Sequence, residues 1–283
     1  MIRVAFVIVV LVVILLVLLP FHVLGLLLGN RLQRDVPVLF HRLYCAVIGI
    51  RITQIGQLTS DKPVLILANH VSWSDISVIG AVAPLVFVAK SEVRSWPIFG
   101  WLARLQRTIF IERDRRNKTG EHARALADRL LGGDAVLLFP EGTSSDGIRI
   151  LPFRSALIGS VHHVIGDATH HDKVMVQPVS IAYTRYGGLP VGRALREKVA
   201  WWGDMDLVPH LIGVLENGAL DVTVTWGEAV AYGMNADRKQ IARDAEAAVR
   251  RMTAQALRSR KPVSAAAPVA TETFPVTTEA ARG

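Results

Sequence analysis

The chain has 283 residues, 32 Lys+Arg against 24 Asp+Glu for a formal net charge of +8, and 51% hydrophobic residues. That apolar share excludes a disordered polymer, and a single cysteine, Cys45, excludes a disulfide framework or a four-cysteine zinc module. The length suits one or two domains, and the lone cysteine points to a reducing compartment.

The first element is a run without charge from Val4 to Leu28. As a helix it extends about 37 Å, enough for a hydrocarbon core of about 30 Å. It is too long for the apolar region of a signal peptide, its basic start is only Arg3, and GLLLGN offers no small-x-small cleavage site. Residues 1–30 therefore read as a retained membrane anchor. Pro20 and His22 leave two forms open, a straight spanning helix or a helical hairpin seated in one leaflet. Arg3 on one flank against Arg31, Arg34 and Arg42 on the other predicts a body on the cytoplasmic face, here of the cell inner membrane.

Residues 31–260 form the body, where short β-branched runs alternate with amphipathic stretches. Strands are expected at 49–56, 63–69, 85–90, 107–113, 134–140, 174–183 and 220–230. Helices fit at Asp75 to Val82, Glu121 to Leu131 closed by Gly132-Gly133, and Arg154 to Val164. Several strands are apolar throughout, as a sheet covered on both faces requires, so the class is α/β. A last helix, capped by Asn235, places Ile241, Ala245, Ala248 and Met252 on one face among many arginines. It reads as a solvated helix packed on the body, with a surface for anionic lipid or an acidic carrier protein as the other reading. From 261 to 283, Ala, Pro, Val and Thr without period predict a disordered tail.

Chemistry concentrates in Asn69-His70-Val71-Ser72-Trp73-Ser74-Asp75, directly after the strand PVLIL. On a regular helix a His-x₄-Asp spacing sets the two side chains about 140° apart, so they meet only if a turn intervenes. A strand passing through a tight turn into a helix supplies one. Asp75 then accepts from one imidazole nitrogen of His70 and leaves the other free to take a proton. The plainer reading makes Asp75 a helix cap and His70 a turn residue.

Phe139-Pro140-Glu141-Gly142-Thr143 follows another buried-looking strand and is expected at the same carboxyl edge, where open α/β sheets bind ligands. Glu141 and Thr143 bring an acceptor and a hydroxyl, and Gly142 lets backbone approach a ligand. The plainer reading is an ordinary Pro-x-Gly turn. In a third loop, Phe110-Ile111-Glu112-Arg113, the arginine suits an anionic headgroup.

In these blocks the chain resembles the lysophospholipid acyltransferases typified by 1-acyl-sn-glycerol-3-phosphate acyltransferase. The match runs in order from His70 to about Tyr183 and includes Lys90 with Pro97 and Gly100, and Val176-Gln177-Pro178-Val179. The resemblance implies a single mixed, largely buried sheet flanked by helices, with an N-terminal membrane helix or helical hairpin. It implies His70 and Asp75 as the catalytic dyad, and Arg113, Glu141, Gly142 and Thr143 as acceptor-binding residues. It also implies that the Pro178 block borders the acyl channel. The donor would be a thioester, acyl carrier protein or acyl-CoA, with no bound cofactor and no covalent acyl-enzyme. Such a donor is already activated, so ester formation needs a deprotonated hydroxyl, an oxyanion site and exclusion of water.

One departure bears on the acceptor. Members that bind phosphate continue Glu-Gly-Thr-Arg, whereas here Ser144 follows, and Ala156 stands where a glycine is expected. A charge-assisted, bidentate phosphate contact is thereby missing. EGTSSDG, VAKSEVRSWPIFG and WWGDMDLVPHL are more similar to the lyso-ornithine lipid acyltransferase branch, which esterifies the 3-hydroxyl of an N-acylated ornithine. There Arg113 would face the headgroup carboxylate, and Glu141 or Asp146 the amine. The alternatives are an acyltransferase making phosphatidic acid and a non-catalytic membrane adaptor for acyl carrier protein.

The remaining candidates read as structural. His162-His163 and His170-His171-Asp172 suggest a solvated helix end and loop, so no metal is expected. No Gly-x-Ser-x-Gly elbow supports Ser72 or Ser74 as a nucleophile. Basic residues are scattered among apolar runs without a recognition motif, which argues against nucleic acid. Trp201-Trp202 fit a lipid interface or a core equally well.

Overall fold

The computed structural model describes residues 1–112, 119–158, 173–233 and 236–259. Helices α1 (Ile2–Leu28) and α2 (Leu32–Ile48) form a hairpin around a turn at Gly29. There follow β1 (Ile50–Ile55), β2 (Val64–Ala68), α3 (Asp75–Gly80), β3 (Val86–Lys90), α4 (Phe99–Leu105), β4 (Ile109–Ile111), α5 (Thr119–Leu131) and β5 (Ala135–Leu138). The chain continues through α6 (Ser155–Ile158), β6 (Lys173–Tyr186), β7 (Leu189–Pro190), α7 (Arg196–Val199), α8 (Leu207–Asn217), β8 (Leu220–Trp226), β9 (Val230–Gly233) and α9 (Arg238–Arg258).

The sheet is mixed, in the order β1-β8-β6-β2-β5-β3-β4. Strands β2, β5, β3 and β4 run parallel, and β8 lies antiparallel to β6. All five residues of β2 and all four of β5 are buried, the consequence of helices on both faces. One core joins β2, β6 and β8 to α1, α2, α3 and α8 through Val4, Val7, Cys45, Ile48, Val78 and Val214. The other packs Leu65, Leu67, Val136 and Leu138 under α5 and α9. Each such fully buried side chain contributes on the order of 1.5–3 kcal/mol.

Several elements differ from the sequence reading. The single strand expected over 220–230 is split into β8 and β9, both paired with β6. Pro178 of β6 has no N–H to give the ladder, and the Gly227 N–H turns in to its carbonyl at 2.8 Å, interrupting the strand there. Asp237, not Asn235, caps α9, its carboxylate accepting from the Lys239 N–H at 2.8 Å. The buried face of α9 carries Ile241, Ala242, Ala245 and Val249, shifted by one residue from the expected Ala248. The tail 261–283, the histidines at 162, 163, 170 and 171, and most of the helix expected over 154–164 lie outside the described residues.

Helix α1 alone among the described helices is long and apolar enough to cross a membrane. It is not a free tether. Near its start Arg3 donates to the carbonyls of Leu215 and Ile48, and 19 residues on, His22 Nε2 donates to the Leu105 carbonyl at 2.9 Å. About 28 Å of helix therefore lies along the body. Its other side exposes Phe6, Val9, Val13, Leu16, Val17, Leu27 and Leu28.

Candidate active site

The site grows from the pairing of β2 with β5. Their parallel register, Val64↔Ala135 to Leu67↔Leu138, brings both C-terminal loops out at one edge of the sheet. The first loop carries Asn69 to Ser74 and the second Phe139 to Ser145. Asn69 is buried and anchors its loop through reciprocal bonds with the Ile181 backbone, 2.9 and 2.8 Å.

Helix α3 starts at Asp75, whose carboxylate does not cap it but turns back over the loop. Oδ2 accepts from the Val71 and Ser72 N–H groups at 2.6 and 3.0 Å and from His70 Nδ1 at 2.8 Å. Oδ1 accepts from the Tyr183 hydroxyl at 2.8 Å, which in turn sits 2.7 Å from Ser74 Oγ. Burial first, and then the nearby Asp75, raise the Tyr183 pKa far above its ordinary value, so this phenol is a permanent donor. With Nδ1 donating to the carboxylate, Nε2 is the unprotonated nitrogen of a neutral His70. The imidazole is packed on Phe139, ring centroids 4.2 Å apart and 16° from parallel, and its side chain is 21% exposed.

The second loop clamps the His70 backbone from both ends. Glu141 Oε1 accepts the His70 N–H at 2.9 Å, and Oε2 accepts the Leu151 N–H at 3.0 Å. Ser145 N–H donates to the His70 carbonyl at 2.8 Å, with its hydroxyl at 3.2 Å. Burial pushes the Glu141 carboxyl up to about 7, opposed by its two backbone bonds and assisted by the charges of Asp75 and Glu246. Gly142 takes φ +77°, open to glycine without strain. At Gly147 (φ +72°) an added Cβ would meet Val71 Cγ1 at 2.8 Å. Trp73 is held by its indole N–H, which donates to His210 Nδ1 at 2.9 Å, and Trp201 N–H donates to the Val71 carbonyl at 3.0 Å.

A cavity of about 480 Å³ opens on these loops. His70, Phe139, Gly142, Thr143, Ser144 and Trp201 line it at the sheet edge. Its wall continues through Trp73, Ile76 and Phe87 to Tyr44, Trp96, Phe99 and Leu102, and Leu15, Leu18, Leu19 and His22 of α1 complete it. The cavity is lined mostly by apolar side chains and has an imidazole at the wall, a lining suited to an acyl chain beside a polar reaction centre.

Of the residues expected from sequence, His70 and Asp75 are bonded, and Gly142 and Thr143 share the cavity with His70. Glu141 is 1% exposed with both oxygens engaged by backbone, which makes it a brace of the loops rather than a lining group. Asp146 caps its own turn, accepting from the Ile148 and Arg149 N–H groups. Arg113 lies outside the described residues. None of Val176, Gln177, Pro178 and Val179 lines the cavity; Gln177 instead ties Thr59, Gln57 and Gly227 together. Of the two tryptophans, Trp201 lines the cavity and Trp202 packs against the core. Sequence reasoning missed Tyr183 and Arg196. The latter is 6% exposed, donates one bond to the Val191 carbonyl and leaves Nε and Nη1 unpartnered behind the Gly147 turn.

This fold and this pairing of loops define an acyltransferase, and residues 49–182 match the Acyltransferase family. The chain belongs to that family, and its relatives narrow the branch. It is 49% identical to the lyso-ornithine lipid O-acyltransferase of Brucella abortus (strain 2308), across 86% of this chain and 91% of that one. The corresponding protein of Rhizobium meliloti (strain 1021) is 45% identical, across 92% and 88%. A 1-acyl-sn-glycerol-3-phosphate acyltransferase of Neisseria gonorrhoeae is 40% identical, but across only 38% of this chain and 43% of that one. Among solved structures, the 1-acyl-sn-glycerophosphate acyltransferase PlsC of Thermotoga maritima shares the fold, with a TM-score of 0.58 across 82% and 83% of the two chains at 19% identity.

Proposed function

We propose that this acyltransferase esterifies the 3-hydroxyl of lyso-ornithine lipid with a fatty acyl group from acyl carrier protein or acyl-CoA. The observation that carries the reading is the 2.8 Å contact of His70 Nδ1 with Asp75 Oδ2 at the wall of an apolar cavity. Nε2 takes the hydroxyl proton as the oxygen attacks the thioester carbonyl, and Asp75 stabilises the imidazolium that forms. The tetrahedral intermediate collapses, the C–S bond breaks, and the departing thiolate takes the proton from Nε2. No acyl-enzyme forms. Gly142 and Thr143 are assigned to the acceptor as lining residues beside His70, and Arg113 to its carboxylate by resemblance alone. The similarity to lyso-ornithine lipid O-acyltransferases across 86% and 92% of this chain and the Ser144 in place of arginine favour this acceptor over lysophosphatidic acid.

The helical hairpin of α1 and α2 would seat the enzyme in one leaflet, on the cytoplasmic face of the inner membrane. Support comes from α1 lying along the body while its far side exposes bulky apolar residues. Membranes carrying the protein are to be incubated with labelled acyl donor and, separately, lyso-ornithine lipid and lysophosphatidic acid. Labelled ornithine lipid is expected; esterification of lysophosphatidic acid alone would overturn the assignment of the acceptor.

A further inference from the structure

At the sheet edge opposite His70 lies a second pocket of about 220 Å³, where Arg34, Lys62 and Arg107 surround Asp134. Asp134 is 5% exposed and pairs with Arg34 at 3.2 Å and Arg107 at 2.9 Å. Lys62 and Arg129 have no ion-pair partner among the described residues, although both feel this cluster. Desolvation, then Arg34, lowers the Lys62 pKa; desolvation, then Arg107, lowers that of Arg129. Three cations thus line the pocket around one buried carboxylate, and Arg129, outside the lining, feels Arg107, Asp134 and the exposed Asp128. Arg107 reaches the pocket from a left-handed backbone, φ +61°, a conformation uncommon outside glycine and held against its cost. Converging like charges around a pocket leave a positive potential that an anion would relieve.

Position selects the anion. Arg34 lies on the first turn of α2, six residues past Leu28, where α1 ends with Leu27 and Leu28 exposed. β2 puts about 13 Å of strand between the pocket and the His70 loop, too far for a group held here to take part in the chemistry. We propose that this pocket binds the phosphate of an anionic phospholipid headgroup, fixing the α1–α2 elbow at the bilayer surface. The inference rests on the seating of α1 in a leaflet and is independent of the acyl-transfer chemistry.

The test is lysine footprinting of the full chain in neutral detergent. Acetic anhydride labels Lys62, Lys198 and Lys239, and mass spectrometry follows each rate with dihexanoyl phosphatidylglycerol, dihexanoyl phosphatidylcholine or inorganic phosphate present. Phosphatidylglycerol is expected to slow labelling of Lys62 severalfold while sparing Lys198 and Lys239, and phosphatidylcholine to protect little. Arg129→Gln, which breaks no ion pair, should weaken that protection about fivefold. Equal rates at Lys62 with and without phosphatidylglycerol would overturn the proposal, as would protection by inorganic phosphate alone. Flotation with phosphatidylcholine vesicles reports the seating of α1 separately, because it needs no anionic headgroup.

Discussion

Replacing Tyr183 with Phe isolates the buried support of the dyad. The phenol is 1% exposed and its hydroxyl is the donor to Asp75 Oδ1 at 2.8 Å, so the substitution keeps the ring and removes a single oxygen. A hydrogen bond to a charged group is worth about 1.5–3 kcal/mol. Oδ2 keeps its bonds to His70, Val71 and Ser72, so the dyad persists but is less firmly held as the imidazolium forms. If about half of that energy is felt in the transition state, kcat falls roughly four- to twelvefold. KM for the lyso-lipid should stay constant, because the residue lies outside the cavity wall. The assay is steady-state acyl transfer by purified protein, with urea unfolding to correct for stability. Repeating Tyr183→Phe in an Asp75→Asn background separates support from packing, since the loss should largely vanish once the carboxylate is gone. A loss of undiminished size in that background would refute the reasoning.

Other outcomes follow from the same geometry. Burial raises the Glu141 carboxyl from its ordinary 4.5 to about 7, so the folded state holds this proton more tightly than the unfolded chain. The resulting stability is present below pH 4.5 and lost as pH rises to about 7, on the order of 3 kcal/mol; Glu141→Gln should flatten the unfolding free energy across that window. Gly147→Ala meets both a positive φ and Val71, so it should destabilise the protein by about 1–3 kcal/mol and lower kcat through the residue beside His70. Removal of residues 1–28 should expose core and lower the unfolding temperature, since Val4 and Val7 belong to the core; unchanged melting would show that α1 is only a tether.

The pairing of His70 with Asp75 was legible because the two stand five residues apart across one strand-to-helix turn, His70 in the loop and Asp75 at the start of α3. The shared edge of the two loops was legible from the apolar strands before them. Tyr183 was not, since it reaches Asp75 across the sheet from 108 residues away and its strand reads only as β-branched and buried. Glu141 was chosen for its carboxylate, but sequence does not reveal that two backbone amides consume it. The length and apolarity of α1 were plain, whereas its path along the body depends on Arg3 and His22 finding carbonyls far away in the chain. Helix α2 was overlooked because Pro37 and three charges interrupt its apolar pattern, yet Val36, His41, Cys45 and Ile48 form one buried face.

The central claim is that His70 Nε2 removes the acceptor proton. It is tested most directly by measuring transfer of labelled acyl groups to lyso-ornithine lipid with purified His70→Ala, alongside its circular dichroism and membrane association. Loss of turnover with fold and membrane binding intact is the expected result. Turnover near that of the unaltered protein would contradict the mechanism.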